Sequence, residues 1–316
     1  MSTPRSHVKL SITLALVALA GLSVGLGAPR CEVPEAAAIR DSTEMPETWV
    51  HPLRSLPCTE PETGSRFAPL GLAFDIKGDL YVVDADHSEL LVAHDSSLAL
   101  SFFAGCPSTD AGCRFVDVAS YGGSFYLSDR AAGLVIELDS KGAPIGSREV
   151  GSGIGGLDVG PSGLLYGAMT LQGSIVIADI YSDKSPITSS VAGTTSGSYP
   201  VDCLVQNRGR ILVTDAFAKQ VIVLGPLGSL AGYLQGFDFK SPFGLCTCLD
   251  RYVLVSDSEL GCVAVFNLAG RFLGTFGRAR LQTPTFLAAR DDGTVCVADV
   301  GKLTIEEFRL DDLSHQ

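Results

Sequence analysis

The chain has 316 residues, 46% hydrophobic and only 18% charged, with 35 glycines. That length and apolar content allow one large core or two modest ones, and abundant Gly with little charge suits tight turns between short strands. A formal net charge of −12 and a pI of about 4.8 oppose a phosphate backbone, which argues against nucleic acid as a partner.

The chain opens MSTPRSHVKLSITLALVALAGLSVGLGA, where Arg5 and Lys9 precede an uncharged apolar run to Leu26. This has the form of a secretory signal peptide over 1–28, with cleavage after Ala20 or Gly25 as alternatives. The expected location is secreted or periplasmic. The rival reading is a retained anchor, although the run spans ~17 residues where a membrane helix needs ~20. No later segment is long and apolar enough to span. Residues 29–47, PRCEVPEAAAIRDSTEMPE, read as an acidic tether.

TWVHPLRSLPC (48–58) is a strand with no neighbour in sequence to pair with. From Pro69, PLGLAFDIKGDLYVVDADHSELLVAHD gives a strand, a polar turn, a second strand ending at Asp84 and a third strand. SLALSFFAG then supplies a fourth. Leu80 and Val82, then Leu90 and Val92, alternate with the period two of strands. The stretch DADHSELLVAHD crowds Asp84, Asp86, His87, Glu89, His94 and Asp95 together, which suits either a metal site or a turn. CPSTDAGC follows and sets Cys106 and Cys113 across a short polar loop, the best disulfide pair in an oxidising compartment. Cys203, Cys246 and Cys296 lie inside apolar runs and read as small buried hydrophobes.

CRFVDVASYGGSFYLSDRAAGLVIELD repeats the pattern to Asp129, and IGGLDVGPSGLLYGAMTLQGSIVIAD repeats it to Met169 without the acid. GSGIGG (151–156) matches G-x-G-x-x-G, but a strand follows it. The helix N-terminus that would hold a pyrophosphate is absent, so it reads as a connecting loop. The units from Pro200, Pro242 and Pro284 end their second strands at Asp215, Asp257 and Asp299. The six marks lie 40 to 46 residues apart. Four strands per unit at a period near 42 specify an all-β, six-bladed β-propeller over 48–310. The last unit lacks a fourth strand, so 48–58 is expected to pair with 303–310 and close the ring, removing an open edge. Residues 311–316 remain as a tail.

Repetition bears on DADHSE. An Asp at this place in five of six units points to a shared turn in which the carboxylate accepts backbone N–H groups. Asp86, His87 and Glu89 have no counterparts and stay open. An EF-hand is excluded, because Glu89 replaces its central Gly and Asp95 its terminal Glu.

The pattern P-x-G-L-A-x-D, G-x-L-Y-V-x-D, a polar turn, an apolar strand and F-x-G resembles the NHL-repeat family of six-bladed propellers over about residues 69–310. The chain departs from it in the third unit and in lacking the Asn-His-Arg turn, of which only His87 matches. The resemblance implies the fold and leaves function open. Similar zinc-dependent amidating lyases hold their metal with several His from different blades. Here only His51, His87, His94 and His315 follow the signal peptide, two of them outside the blades, so three such ligands are not available. Similar calcium-dependent lactonases use acidic and Asn side chains at the central channel, whereas Asn207 and Asn267 both lie in turns on the far side. No G-x-S-x-G elbow occurs.

The expectation is a monomeric, non-catalytic binding module without a cofactor, working through the rim that carries the loops between strands two and three and between blades. His87, Arg130, Tyr199, Lys219, Phe237, Arg278, Arg280 and Lys302 gather there, suited to a protein, peptide or anionic ligand. The alternative is a calcium- or zinc-dependent lyase or lactonase-like hydrolase with its site at the central channel.

Overall fold

The computed structural model describes residues 44–46, 49–94, 99–107, 112–182, 184–190, 197–226 and 228–312. The signal peptide, most of the tether and the end of the tail lie outside the described residues. The chain forms six four-stranded antiparallel sheets, a six-bladed β-propeller. β1 is Val50–Pro57. Blade 1 holds β2 (Pro69–Phe74), β3 (Leu80–Asp84), β4 (Glu89–Ala93) and β5 (Leu100–Gly105). Blade 2 holds β6 (Phe115–Tyr121), β7 (Ser124–Asp129), β8 (Leu134–Leu138) and β9 (Pro144–Glu149). Blade 3 holds β10 (Ile154–Val159), β11 (Leu164–Met169), β12 (Ser174–Asp179) and β13 (Ile187–Ser190). Blade 4 holds β14 (Pro200–Val205), β15 (Ile211–Asp215), β16 (Gln220–Leu224) and β17 (Leu230–Tyr233). Blade 5 holds β18 (Pro242–Cys248), β19 (Tyr252–Asp257), β20 (Cys262–Asn267) and β21 (Phe272–Phe276). Blade 6 holds β22 (Pro284–Ala289), β23 (Thr294–Asp299) and β24 (Thr304–Leu310), with β1 as its outermost strand.

The pairing of β1 with β24 runs antiparallel from Val50 opposite Leu310 to Pro57 opposite Thr304. The edge that the sixth unit would leave open is therefore covered by the segment preceding blade 1. Polar side chains pin this seam: Arg54 Nε donates to Glu307 at 2.6 Å and Ser55 Oγ to Glu306 at 2.8 Å. Just before it, Met45 is buried and its N–H donates to Thr275 O on β21.

Apolar side chains on both faces of each blade pack against the next blade, which gives one buried layer per interface. The layer between blades 1 and 2 extends through Val201, Ala216, Phe243, Phe286 and Val300 of blades 4 to 6. Cys58, Cys203, Cys246, Cys248, Cys262 and Cys296 are buried free thiols, while Cys106 and Cys113 form a disulfide. Residues 151–153 are a connecting turn that leads directly into β10, so the first half of GSGIGG links blades and its second half opens a strand.

Candidate functional site

Each innermost strand runs from the loop rim toward the opposite face, and each carries a register shift in its first four residues. At the rim, the strand-ending Asp organises the turn as the repetition suggested. Asp257 accepts the N–H groups of Glu259 and Leu260 and, from the loop between blades, those of Lys240 and Ser241. Asp129, Asp215 and Asp299 do the same for their own turns and loops. Blade 1 departs: Asp84 Oδ1 accepts the N–H groups of Asp86 and His87, but Asp86 takes the loop amide of Ala68. Asp84 Oδ2 instead lies 2.8 Å from His87 Nδ1.

The eight rim residues separate by environment. Arg280 pairs with the fully buried Glu306 at 3.0 Å and lies over the Phe308 ring, and Lys302 also donates to Glu306. Burial opposes the charge on Glu306, but Lys302, Ser55 and Thr304 outweigh it and hold its carboxyl below the usual range. Arg280 and Lys302 are thus taken up by the closing seam. Phe237 packs on Phe239 and Phe272, so it serves the core between blades 4 and 5. Arg278 is exposed beside the 44–46 segment, its N–H donating to Glu44. His87 belongs to the acidic turn of blade 1. Arg130, Tyr199 and Lys219 lie on blades 2 to 4, and Tyr199 also packs on the axial apolar layer.

Two residues missed in the sequence complete that sector. Leu171 and Phe217, in the turns after β11 and β15, are 66% and 60% exposed. Gly173 and Gly197 place the 197–199 loop against the blade 3 turn and against Phe217, so the pair is joined by one surface. The signal was present as an apolar residue at the tip of TLQG and of DAFAK, where other turns carry Asp, Ala, Glu or Gly. Lys219 has φ +54°, a position taken by Gly133, Gly173 and Gly261 in three other blades.

The central channel is closed toward the rim. Leu70, Val116, Val201, Phe243 and Phe286 fill it and are nearly inaccessible. Farther along lies a polar cavity of about 160 Å³ lined by Asp117, Asp158 and Asp202, three acids the repeat pattern did not single out. Asp117 accepts the N–H of Leu157, Asp158 that of Val205, and Asp202 that of Leu245, each from the next blade. Burial raises all three carboxyls against the pull of these amides, Asp117 to about 7, Asp158 to about 6 and Asp202 well above its usual value. Their oxygens do not converge: among the described residues, the group whose ligand atoms all lie within 4.8 Å is Glu60, Asp84 and His87.

No protein-family profile and no curated protein matches the sequence. Solved structures do match in shape. A streptogramin B lyase superposes with a TM-score of 0.63 at 15% identity, covering 84% of this chain and 99% of that one. An aldose sugar dehydrogenase from Streptomyces coelicolor, solved with PQQ bound, gives 0.62 at 13%, covering 83% and 98%. A nidogen/laminin complex gives 0.57 at 18%, covering 71% and 85%. At these identities the likeness shows the propeller fold alone. No helix among the described residues is long and apolar enough to cross a membrane.

Proposed function

We propose that the chain is an exported, monomeric NHL-type propeller acting as a non-catalytic binding module, which takes a peptide or protein segment on the loop rim of blades 2 to 4. The observation that carries this reading is the exposure of Leu171 and Phe217 on rim turns that the 197–199 loop joins. Two large apolar side chains at turn tips lose nothing in the free fold by being polar, so their place is on a surface that a partner covers. Arg130 and Lys219 flank them, which suits a partner segment with an apolar anchor and acidic neighbours. The Cys106–Cys113 disulfide supports export. A photo-crosslinking residue at Phe217 tests the reading against one at Ile76, which is 92% exposed in a turn on the opposite face. Adducts from 217 alone are expected in the producing cells' exported fraction. Identical adducts from both positions, or none from 217, would contradict it.

The three channel acids favour a second reading, a calcium- or zinc-dependent lyase or lactonase-like hydrolase. They do not fit a ready metal cage, because the carboxylate oxygens are engaged with amides of neighbouring blades and do not converge. A calcium ion held near one per chain and lost in Asp158→Asn would nevertheless support it.

A further inference from the structure

We propose that Glu60, Asp84 and His87 form a site for a divalent transition metal of the zinc class, which clips the segment after the closing strand to blade 1. His87 Nδ1 lies 2.8 Å from Asp84 Oδ2 and 2.9 Å from Glu60 Oε1. One ring nitrogen carries at most one proton, yet two carboxylate oxygens address it, so they must share a single hydrogen. A dication satisfies all three atoms at once.

Both carboxylates are aimed by their other oxygen. Asp84 Oδ1 is held by the amides of Asp86 and His87, and Glu60 Oε2 accepts from Thr63 Oγ1 at 2.9 Å. Glu60 itself sits in a turn tied by its N–H to Ser65 O and by its C=O to the Gly64 N–H. Such outer support fixes ligands before the ion arrives. The other blades supply an internal contrast. In blades 5 and 6 the second oxygen of the turn Asp accepts an amide from the loop between blades, as Asp257 does from Lys240 and Asp299 from Gln282, and in blade 4 Asp215 Oδ2 accepts the Ser198 hydroxyl. In blade 1 the counterpart of that amide, the Phe67 N–H, donates to Cys58 O, and Asp86 takes the next one, the Ala68 N–H, so Asp84 Oδ2 is left to His87 while the turn stays intact.

The ligand set selects the ion. An imidazole nitrogen with two carboxylates suits zinc and its neighbours, whereas calcium and magnesium prefer oxygen alone. Bonds of about 2.0–2.2 Å require the imidazole nitrogen to draw away from each carboxylate oxygen by only about half an ångström. Asp84 is fully buried, Glu60 nearly so, and His87 is 43% exposed, so a fourth ligand position faces solvent on the imidazole side. Asp86 and Glu89 add negative charge around the same imidazole. Glu60 lies two residues after Cys58, whose N–H and C=O bond to Leu303 and Phe67, so the clip would hold the end of the closing strand.

The test is calorimetric titration of zinc into the untagged, chelator-treated full chain, paired with thermal unfolding. One zinc per chain is expected, with a rise in Tm on loading. Glu60→Gln and His87→Gln should each weaken binding by more than about tenfold and remove the rise. His94→Gln, whose imidazole instead meets Asp79, should change neither. Absence of stoichiometric zinc, or binding that survives both Glu60→Gln and His87→Gln, would overturn the proposal. Loss of zinc in Asp158→Asn with the Glu60 and His87 variants unaffected would overturn it too, and would move the metal to the channel.

Discussion

At the scale of single residues, the strand-ending aspartates show how a carboxylate becomes structure. Asp257 is buried with amide donors from both its own turn and the preceding loop, so Asp257→Ala leaves several N–H groups unpaired. Urea denaturation should show a loss of about 2 kcal/mol, with partner binding intact. Lys219 makes the opposite case. Its φ of +54° suits glycine, so Lys219→Gly should raise stability by about 0.5–1 kcal/mol while weakening an acidic partner. The aspartates were legible because the turn repeats. The partner of His87 was not, because Glu60 lies outside every repeat and reaches the turn only through the closing segment. Leu171 and Phe217 showed only as apolar residues at two turn tips, and composition alone does not tell an exposed tip from a buried strand end.

At the scale of elements, the innermost strands explain what the channel acids do. Their third residues read Gly71, Asp117, Gly156, Asp202, Gly244 and Phe286 around the ring, small alternating with large. A Cβ on Gly71 would strike Asp117, one on Gly156 would strike Asp202, and one on Gly244 would strike the backbone at Phe286. Gly156→Ala should therefore cost about 1–3 kcal/mol, whereas Gly105→Ala, with ordinary contact to Phe102, should stay within about 0.5 kcal/mol. The acids also set a pH dependence. Folding raises the carboxyls of Asp117 and Asp158 to about 7 and about 6, so between about pH 4 and 7 the folded chain binds more protons than the unfolded one. Their contribution is greatest below pH 4 and is lost as pH rises through 6 to 7. The Tm should fall between pH 5 and pH 8, and less steeply in Asp158→Asn. In sequence these acids stood as single interruptions of FVDVA, GLDVG and PVDCL. The register shift at the head of each strand hid which face they take, because a one-residue shift exchanges the faces.

At the scale of the molecule, period, strand count and the place of closure were all readable, since each follows from a unit that cannot bury its faces alone. Removing residues 1–58 should expose the edge of β24, strand Arg54 and Ser55's partners, and abolish cooperative unfolding, while removing 1–43 should leave one transition. Function was less readable, because a propeller can work at its rim or in its channel and the residues that decide lie in turns and at bulges. The structure closes the channel toward the rim and leaves Leu171 and Phe217 exposed on the rim turns of blades 3 and 4. The most direct measurement is the affinity of the partner captured at position 217 for the wild type, for Leu171→Ser/Phe217→Ser and for Asp158→Asn. The rim reading requires a large loss in the double variant with Tm unchanged, and no loss in Asp158→Asn. Binding that survives the rim changes and fails with the channel change would contradict it.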